Sequence, residues 1–205
     1  MTYVNELNLE SVISNLNDHG YVVVENFLPV KIIKNLNTLA RDFYSQNLMQ
    51  AAKVGSKNKM QNTAIRGDST YWLDEDSQNN DVQLYFKQMN RLKKVFNQYL
   101  FLNVHEIETH FAFYPIGSHY QKHLDRFAQV SGNQTRQISS VLYLNTDWLA
   151  SDGGELRLYI KEDEFVDILP TAGKLVLFLS SDFWHEVLPA KSDRLSLTGW
   201  FKTKH

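Results

Sequence analysis

The hydrophobic period changes near residue 103, and that change limits the folds open to the chain. From Asn103 onward, His105, Ile107, Thr109, Phe111 and Phe113 alternate with Glu106, Glu108, His110, Ala112 and Tyr114, the period of two that a strand requires. Short apolar runs follow at 138–145, 155–160, 165–169, 174–179 and 194–202, separated by Gly, Pro, Asn and Asp. With a strand carrying His123 and one following His185, these come to about eight, the number that the two four-stranded sheets of a jelly-roll need. Asp152-Gly-Gly and Thr171-Ala-Gly supply turns.

Before residue 103 the period is that of a helix. Leu9, Val12, Ile13 and Leu16 share one face, and Gly20 offers a stop. Tyr21-Val-Val-Val reads as a short strand. Pro29 suits the first turn of a second helix, with Ile32, Ile33, Leu36, Ala40 and Phe43 on its apolar face. A third helix, capped by Asn80 or Asp81, buries Val82, Tyr85, Phe86, Met89, Leu92, Phe96 and Leu100, a stripe that reads as core rather than as a cofactor box. Helices laid on one face of an antiparallel barrel satisfy that stripe. The expected fold is therefore mostly β with helical support (α+β), a double-stranded β-helix or jelly-roll packed against N-terminal helices. One domain spanning 1–205 is expected, with helical support and a substrate loop at 1–102 and the jelly-roll core at 103–205.

Composition is consistent with this and removes some classes of function. A chain of 205 residues, 43% hydrophobic, can bury one sizeable core. Net charge is −2 and the basic residues are scattered, so there is no nucleic-acid footprint. No apolar run is long enough to span a bilayer. The opening Met-Thr-Tyr-Val-Asn-Glu-Leu lacks the basic and apolar regions of a secretion signal, which makes the cytoplasm the default compartment. The absence of cysteine excludes disulfides and thiolate catalysis. No heptad pattern stands out, and a monomer is expected.

The chemistry concentrates in His123-Leu-Asp125, His185 and Arg194. Two imidazoles and one carboxylate can occupy one face of an Fe(II) ion and leave the other open. On a strand, side chains at i and i+2 point the same way, so a strand is expected to carry both His123 and Asp125. An H-x-D tripeptide also arises by chance on strand edges. The spacing of His119 and His123 matches the helical zinc pair of proteases, but Tyr120 stands where that motif needs Glu, and residues 114–120 are turn-rich. Arg194 opens an alternating run in which Ser196 and Thr198 share its face. An arginine inside a barrel needs an anion, and a dicarboxylate co-substrate suits a guanidinium through paired hydrogen bonds. The other reading is that Arg194 pairs with a structural Asp or Glu, or faces water.

Ile65-Arg-Gly-Asp-Ser-Thr-Tyr-Trp, Tyr114-Pro-Ile-Gly-Ser-His-Tyr-Gln-Lys-His-Leu-Asp, Arg136-Gln-Ile-Ser-Ser-Val-Leu-Tyr-Leu-Asn, Gly153-Gly-Glu-Leu-Arg-Leu and His185 with Arg194 occur in an order and spacing that cover most of the chain. Together they resemble the 2-oxoglutarate and Fe(II)-dependent dioxygenases, and within them the prolyl 4-hydroxylase family of the oxygen-sensing (hypoxia-inducible factor) type and its bacterial relatives. The resemblance implies that His123, Asp125 and His185 ligate iron. It further implies that Arg194 and the Tyr143 hydroxyl hold the distal carboxylate of 2-oxoglutarate, with Tyr114 near the co-substrate. O2 would be consumed, succinate and CO2 released, and ascorbate would support turnover. The protein then supplies orientation and exclusion of water, and neutral imidazole ligands imply weaker iron binding on acidification.

Residues 46–80 form a polar passage longer than most connections within a domain. Its first part, 51–60, is basic and of flexible composition. In the enzymes it resembles, the segment matching Arg66-Gly-Asp68 through Trp72 folds over the active-site mouth and grips a polypeptide, and the resemblance also suggests a pair between Asp68 and Arg136. A plain surface loop is the bland alternative there. The substrate class implied is a prolyl residue in a protein, by analogy a translation factor such as elongation factor Tu. Hydroxylation of a free amino acid or other small molecule, and a non-catalytic metal-binding jelly-roll sensor, are the competing readings.

Overall fold

The computed structural model describes residues 8–52, 65–125 and 135–203. Helices α1 (Leu9–His19), α2 (Val30–Ser45) and α3 (Asn80–Tyr99) are interleaved with β1 (Tyr21–Val24), β2 (Gln50–Ala51) and β3 (Ser69–Leu73). The chain then runs through β4 (Val104–Tyr114), β5 (Tyr120–His123), β6 (Arg136–Tyr143), a 3-10 turn (Ala150–Asp152), β7 (Leu156–Tyr159), β8 (Phe165–Ile168), β9 (Leu175–Leu179), β10 (His185–Val187) and β11 (Arg194–Thr203).

Local chemistry sets the helix ends. The Asn8 side chain accepts from the Ser11 amide at the start of α1, and Gly20, at φ 75°, returns its N–H to the Leu16 carbonyl at the end. Pro29 is the N-cap of α2 rather than a residue of its first turn. For α3 the cap is Asn79, one position before the expected pair, because its side chain accepts from the amides of both Asp81 and Val82.

All strand pairs are antiparallel and form two sheets, one in the order β1-β9-β6-β11-β4-β3-β2 and the other β5-β10-β7-β8. The anticipated eight strands are β4, β6, β9 and β11 in the large sheet and β5, β7, β8 and β10 in the small one, so the expected α+β jelly-roll is the observed fold. Strand β1 extends the large sheet beyond β9, while β3 and β2 extend it beyond β4. The part of the long passage expected to fold over the mouth is thus partly sheet. Ser69–Leu73 is rich in Thr, Tyr and Trp, and it satisfies the edge of β4 that would otherwise be open. The basic stretch from 53 to 64 lies outside the described residues.

The two cores follow from strand alternation. Leu195, Leu197 and Phe201 of β11 join Phe111 and Phe113 of β4 beneath the helices, against Leu36, Tyr85, Met89 and Phe96. Ala112, Tyr114, Tyr143, Phe178 and Leu158 pack between the sheets. Gly199 lets β11 lie close to β4: a side chain there would drive into the Glu108 carbonyl oxygen and approach Thr109 Oγ1 to 2.6 Å. Among the described residues no helix is long and apolar enough to cross a membrane.

Candidate functional site

Strands β5 and β10 are neighbours in the small sheet, and their register sets His123 directly opposite His185. The two rings lie 4.2 Å apart, facing the large sheet. Asp125 completes the group, and the ligand atoms of His123, Asp125 and His185 all lie within 4.8 Å of one another. Asp125 Oδ1 is 3.8 Å from His123 Nε2, and Oδ2 is 3.6 Å from His185 Nε2.

His123 and Asp125 do not share a strand, contrary to the expectation from the H-x-D spacing. Strand β5 ends at His123, and Asp125 sits two residues beyond it in a bend. The carboxylate reaches the imidazoles because the chain turns back toward the barrel, not because a pleat aligns i and i+2. The imidazoles are oriented by their own chain: His123 Nδ1 is 2.7 Å from the Gln121 carbonyl and His185 Nδ1 is 3.1 Å from that of Phe183. A carbonyl only accepts, so each Nδ1 carries the proton and each Nε2 turns a lone pair toward the cluster. Tyr120 stacks on His123 with ring centres 3.6 Å apart.

The electrostatics suit a cation. Burial, then the neighbouring His185 imidazole, pushes the His123 pKa down to about 4, against an opposing pull from Asp125. Burial alone would raise Asp125, but His185, His123, Arg136 and the Ser139 hydroxyl together hold it below the usual carboxylate range. Near neutral pH, His123 is a neutral donor beside an ionised carboxylate. This donor set fits a divalent metal such as Fe(II).

At the other end of the inter-sheet space, Arg194 opens β11 opposite Tyr114 of β4. It is 2% exposed, and its Nε donates to the Gly154 carbonyl at 2.8 Å. The guanidinium lies 5.0 Å from the Tyr143 ring centre and 5.2 Å from that of Tyr114. Among the described residues no carboxylate pairs with Arg194, so the alternative of a structural Asp or Glu partner fails. The buried Tyr143 hydroxyl also lacks a hydrogen-bond partner among these residues. Burial pushes the Tyr143 pKa up to about 12, with the Arg194 charge drawing it back, and burial raises Tyr114 as well. Both remain neutral phenols near neutral pH. A buried cation beside a buried phenol can together receive a carboxylate.

The mouth differs from expectation at one pair. Asp68, 2% exposed, is held by two hydrogen bonds from Arg66, at 2.7 and 2.6 Å, not by Arg136. Two residues apart on one segment, Arg66 and Asp68 meet without help from the rest of the fold, and Arg66 also lies 4.4 Å over the Tyr120 ring. Arg136 instead covers Trp200 at 3.5 Å and donates to the Asp125 carbonyl at 3.3 Å. Trp72, 54% exposed, leans on His110, and His110 on Trp200. His105 is exposed and bonds Asn103, whereas His110 is deeply buried.

Ser139, Ser180, Tyr120 and Trp200 were not anticipated. Trp200 was within reach, since it shares the parity of Arg194, Ser196 and Thr198. Nothing in the local pattern marks either serine.

The model of the 2OG-Fe(II) oxygenase superfamily matches residues 109–202. A hypoxia-inducible factor prolyl hydroxylase of Caenorhabditis elegans is 31% identical over 207 residues, covering 95% of this chain and 28% of that protein. The chain thus spans less than a third of the length of that relative. A crystal structure of a Pseudomonas putida prolyl-4-hydroxylase superposes with a TM-score of 0.86 at 38% identity, covering 96% of this chain and 100% of the other. A prolyl hydroxylase from Trichoplax adhaerens, in complex with a hypoxia-inducible factor oxygen degradation domain peptide fragment, gives 0.84 at 26% identity, covering 94% and 88%.

Proposed function

We propose, for a chain that belongs to the 2OG-Fe(II) oxygenase superfamily and within it to the prolyl hydroxylase family, that it hydroxylates a prolyl residue in a protein substrate. His123 and His185 would hold Fe(II) through Nε2, and Asp125 through its carboxylate. With 2-oxoglutarate and O2, the metal supplies the oxidising chemistry: succinate and CO2 leave, and one oxygen atom enters a substrate C–H bond.

The work of the chain is placement. Arg194 and the Tyr143 hydroxyl receive the distal carboxylate of 2-oxoglutarate, one through charge and the other through a donor whose proton no described residue accepts. Tyr114 walls the same pocket from β4. The apolar packing between the sheets excludes water from the reacting end. The Arg66–Asp68 pair stiffens the rim next to β5. Exposed Trp72, with Arg136 nearby on Trp200, offers an apolar face and a cation to a prolyl peptide. The substrate is a cytoplasmic protein, a translation factor such as elongation factor Tu, and the enzyme acts as a monomer.

One observation carries this reading: a buried arginine with no carboxylate partner among the described residues lies beside the buried Tyr143 ring and its hydroxyl, in the same inter-sheet space as a His-Asp-His cluster. The test is mass spectrometry of host-cell protein extract incubated with the enzyme, Fe(II), ascorbate and 2-oxoglutarate, against His123→Ala. A proline that gains one oxygen only with the active enzyme is the expected result. Succinate formation with no oxidised protein would move the assignment to a small-molecule substrate, and the absence of both products despite iron binding would indicate a sensor.

A further inference from the structure

Two buried hydroxyls behind the cluster have no part in the function described above. Ser139 on β6 and Ser180 just after β9 are 1% and 0% exposed. The Ser139 hydroxyl donates to Asp125 Oδ2 at 2.6 Å, and the Ser139 and Ser180 oxygens are 2.9 Å apart.

The direction of this chain follows from counting protons. An ionised carboxylate only accepts, so the single Ser139 proton goes to Oδ2. The Ser139 oxygen is then the acceptor at 2.9 Å, and Ser180 must donate to it. Each bond polarises the next, and the last is charge-assisted.

The asymmetry among the three candidate ligands gives these hydroxyls a purpose. His123 and His185 are each oriented by a carbonyl two residues upstream in their own segment. Among the described residues Asp125 has no such local brace, since it lies past the end of β5 and outside the ladder. Its supports come from the opposite sheet, from β6: the Ser139 hydroxyl on Oδ2, and Arg136, which donates to the main-chain oxygen and lies 3.9 Å from Oδ1 as an ion pair.

We propose that Ser139, backed by Ser180, is a positioning residue for the metal centre, fixing the rotamer of Asp125 from across the barrel and leaving Oδ1 without a hydroxyl donor. The proposal rests on the reading of His123, Asp125 and His185 as a metal site. It makes the affinity of that site depend on the seating of β6 against β5.

The test is a calorimetric titration of the metal-stripped full chain with Co(II), without 2-oxoglutarate, with circular dichroism to establish that each variant is folded. Ser139→Ala should bind about 10- to 100-fold more weakly than the parent, the usual effect of losing an outer support of a ligand. Ser180→Ala should weaken binding by less, and Ser139→Thr, which keeps the hydroxyl, should restore it. Ser140→Ala is the control, because the neighbouring side chain on a strand points to the other face, and it should bind like the parent. Parent-like affinity in folded Ser139→Ala overturns the proposal, as does an equal loss in Ser140→Ala. If the parent itself fails to bind Co(II), and His123→Ala is no different, the reading of the triad falls and takes the proposal with it.

Discussion

His110 should make the stability of this protein depend on pH, and the size of the effect can be worked out in advance. The residue is 2% exposed, sits between Trp72 at 4.7 Å and Trp200 at 5.5 Å, and has neither ring nitrogen hydrogen-bonded among the described residues. Burial lowers its pKa from 6.5 to about 4, with Asp68 and Asp125 acting to raise it and Arg66 and Arg136 to lower it. Between those values the unfolded chain binds a proton that the folded chain refuses, so stability rises with pH. It is complete above about pH 6.5 and is lost as the pH falls toward 4. At ~1.4 kcal/mol per pH unit, the loss amounts to about 2 kcal/mol by pH 5 and about 3 kcal/mol by pH 4. Urea unfolding of the metal-free protein from pH 4 to 8 would be compared with His110→Leu, which fills similar space and cannot titrate. Other groups, His123 included, titrate in both proteins and cancel in the difference. Parallel curves for the two proteins would refute the reasoning, because they would mean that His110 takes up its proton equally easily folded and unfolded.

Three further outcomes follow from the same geometry. Arg194→Ala should weaken 2-oxoglutarate binding roughly 10- to 100-fold, the range for a lost hydrogen bond to a charged group, and Arg194→Lys should recover little because the paired geometry is gone; calorimetry with Co(II)-loaded protein reads this directly. His123→Ala and Asp125→Ala should abolish conversion of 2-oxoglutarate to succinate while leaving the far-ultraviolet circular dichroism unchanged, since neither side chain belongs to the cores. Gly199→Ala should cost about 1–3 kcal/mol in urea unfolding, as its methyl group meets the Glu108 carbonyl and Thr109 on the paired strand; an unchanged midpoint would show that β4 yields at no cost.

Much of the fold was legible because it rests on local periods. The stripe Val82, Tyr85, Phe86, Met89, Leu92 and Phe96 recurs at helical spacing, and all six residues are buried in α3. The alternation after residue 103 became β4, and its two faces serve different cores. Strand β3 was missed because its reason for being a strand is the open edge of β4, which no local window contains. The pairing of Asp68 was misassigned for the opposite reason: a resemblance pointed to the distant Arg136, while the partner two residues away was reachable.

The sequence by itself determined the donor chemistry. Two imidazoles, a carboxylate and one guanidinium, with no thiol anywhere, restrict which metal and which co-substrate the chain can hold, because ligand type follows from residue identity alone. Where those groups meet was decided by tertiary structure. His123 faces His185 because β5 and β10 are paired, Arg194 is stripped of water because β11 lies in the middle of the large sheet, and Asp125 is braced by Ser139 because the two sheets close on each other. Such contacts join residues far apart in the chain, and their energies come from burial and register, which exist only once the sheets have formed.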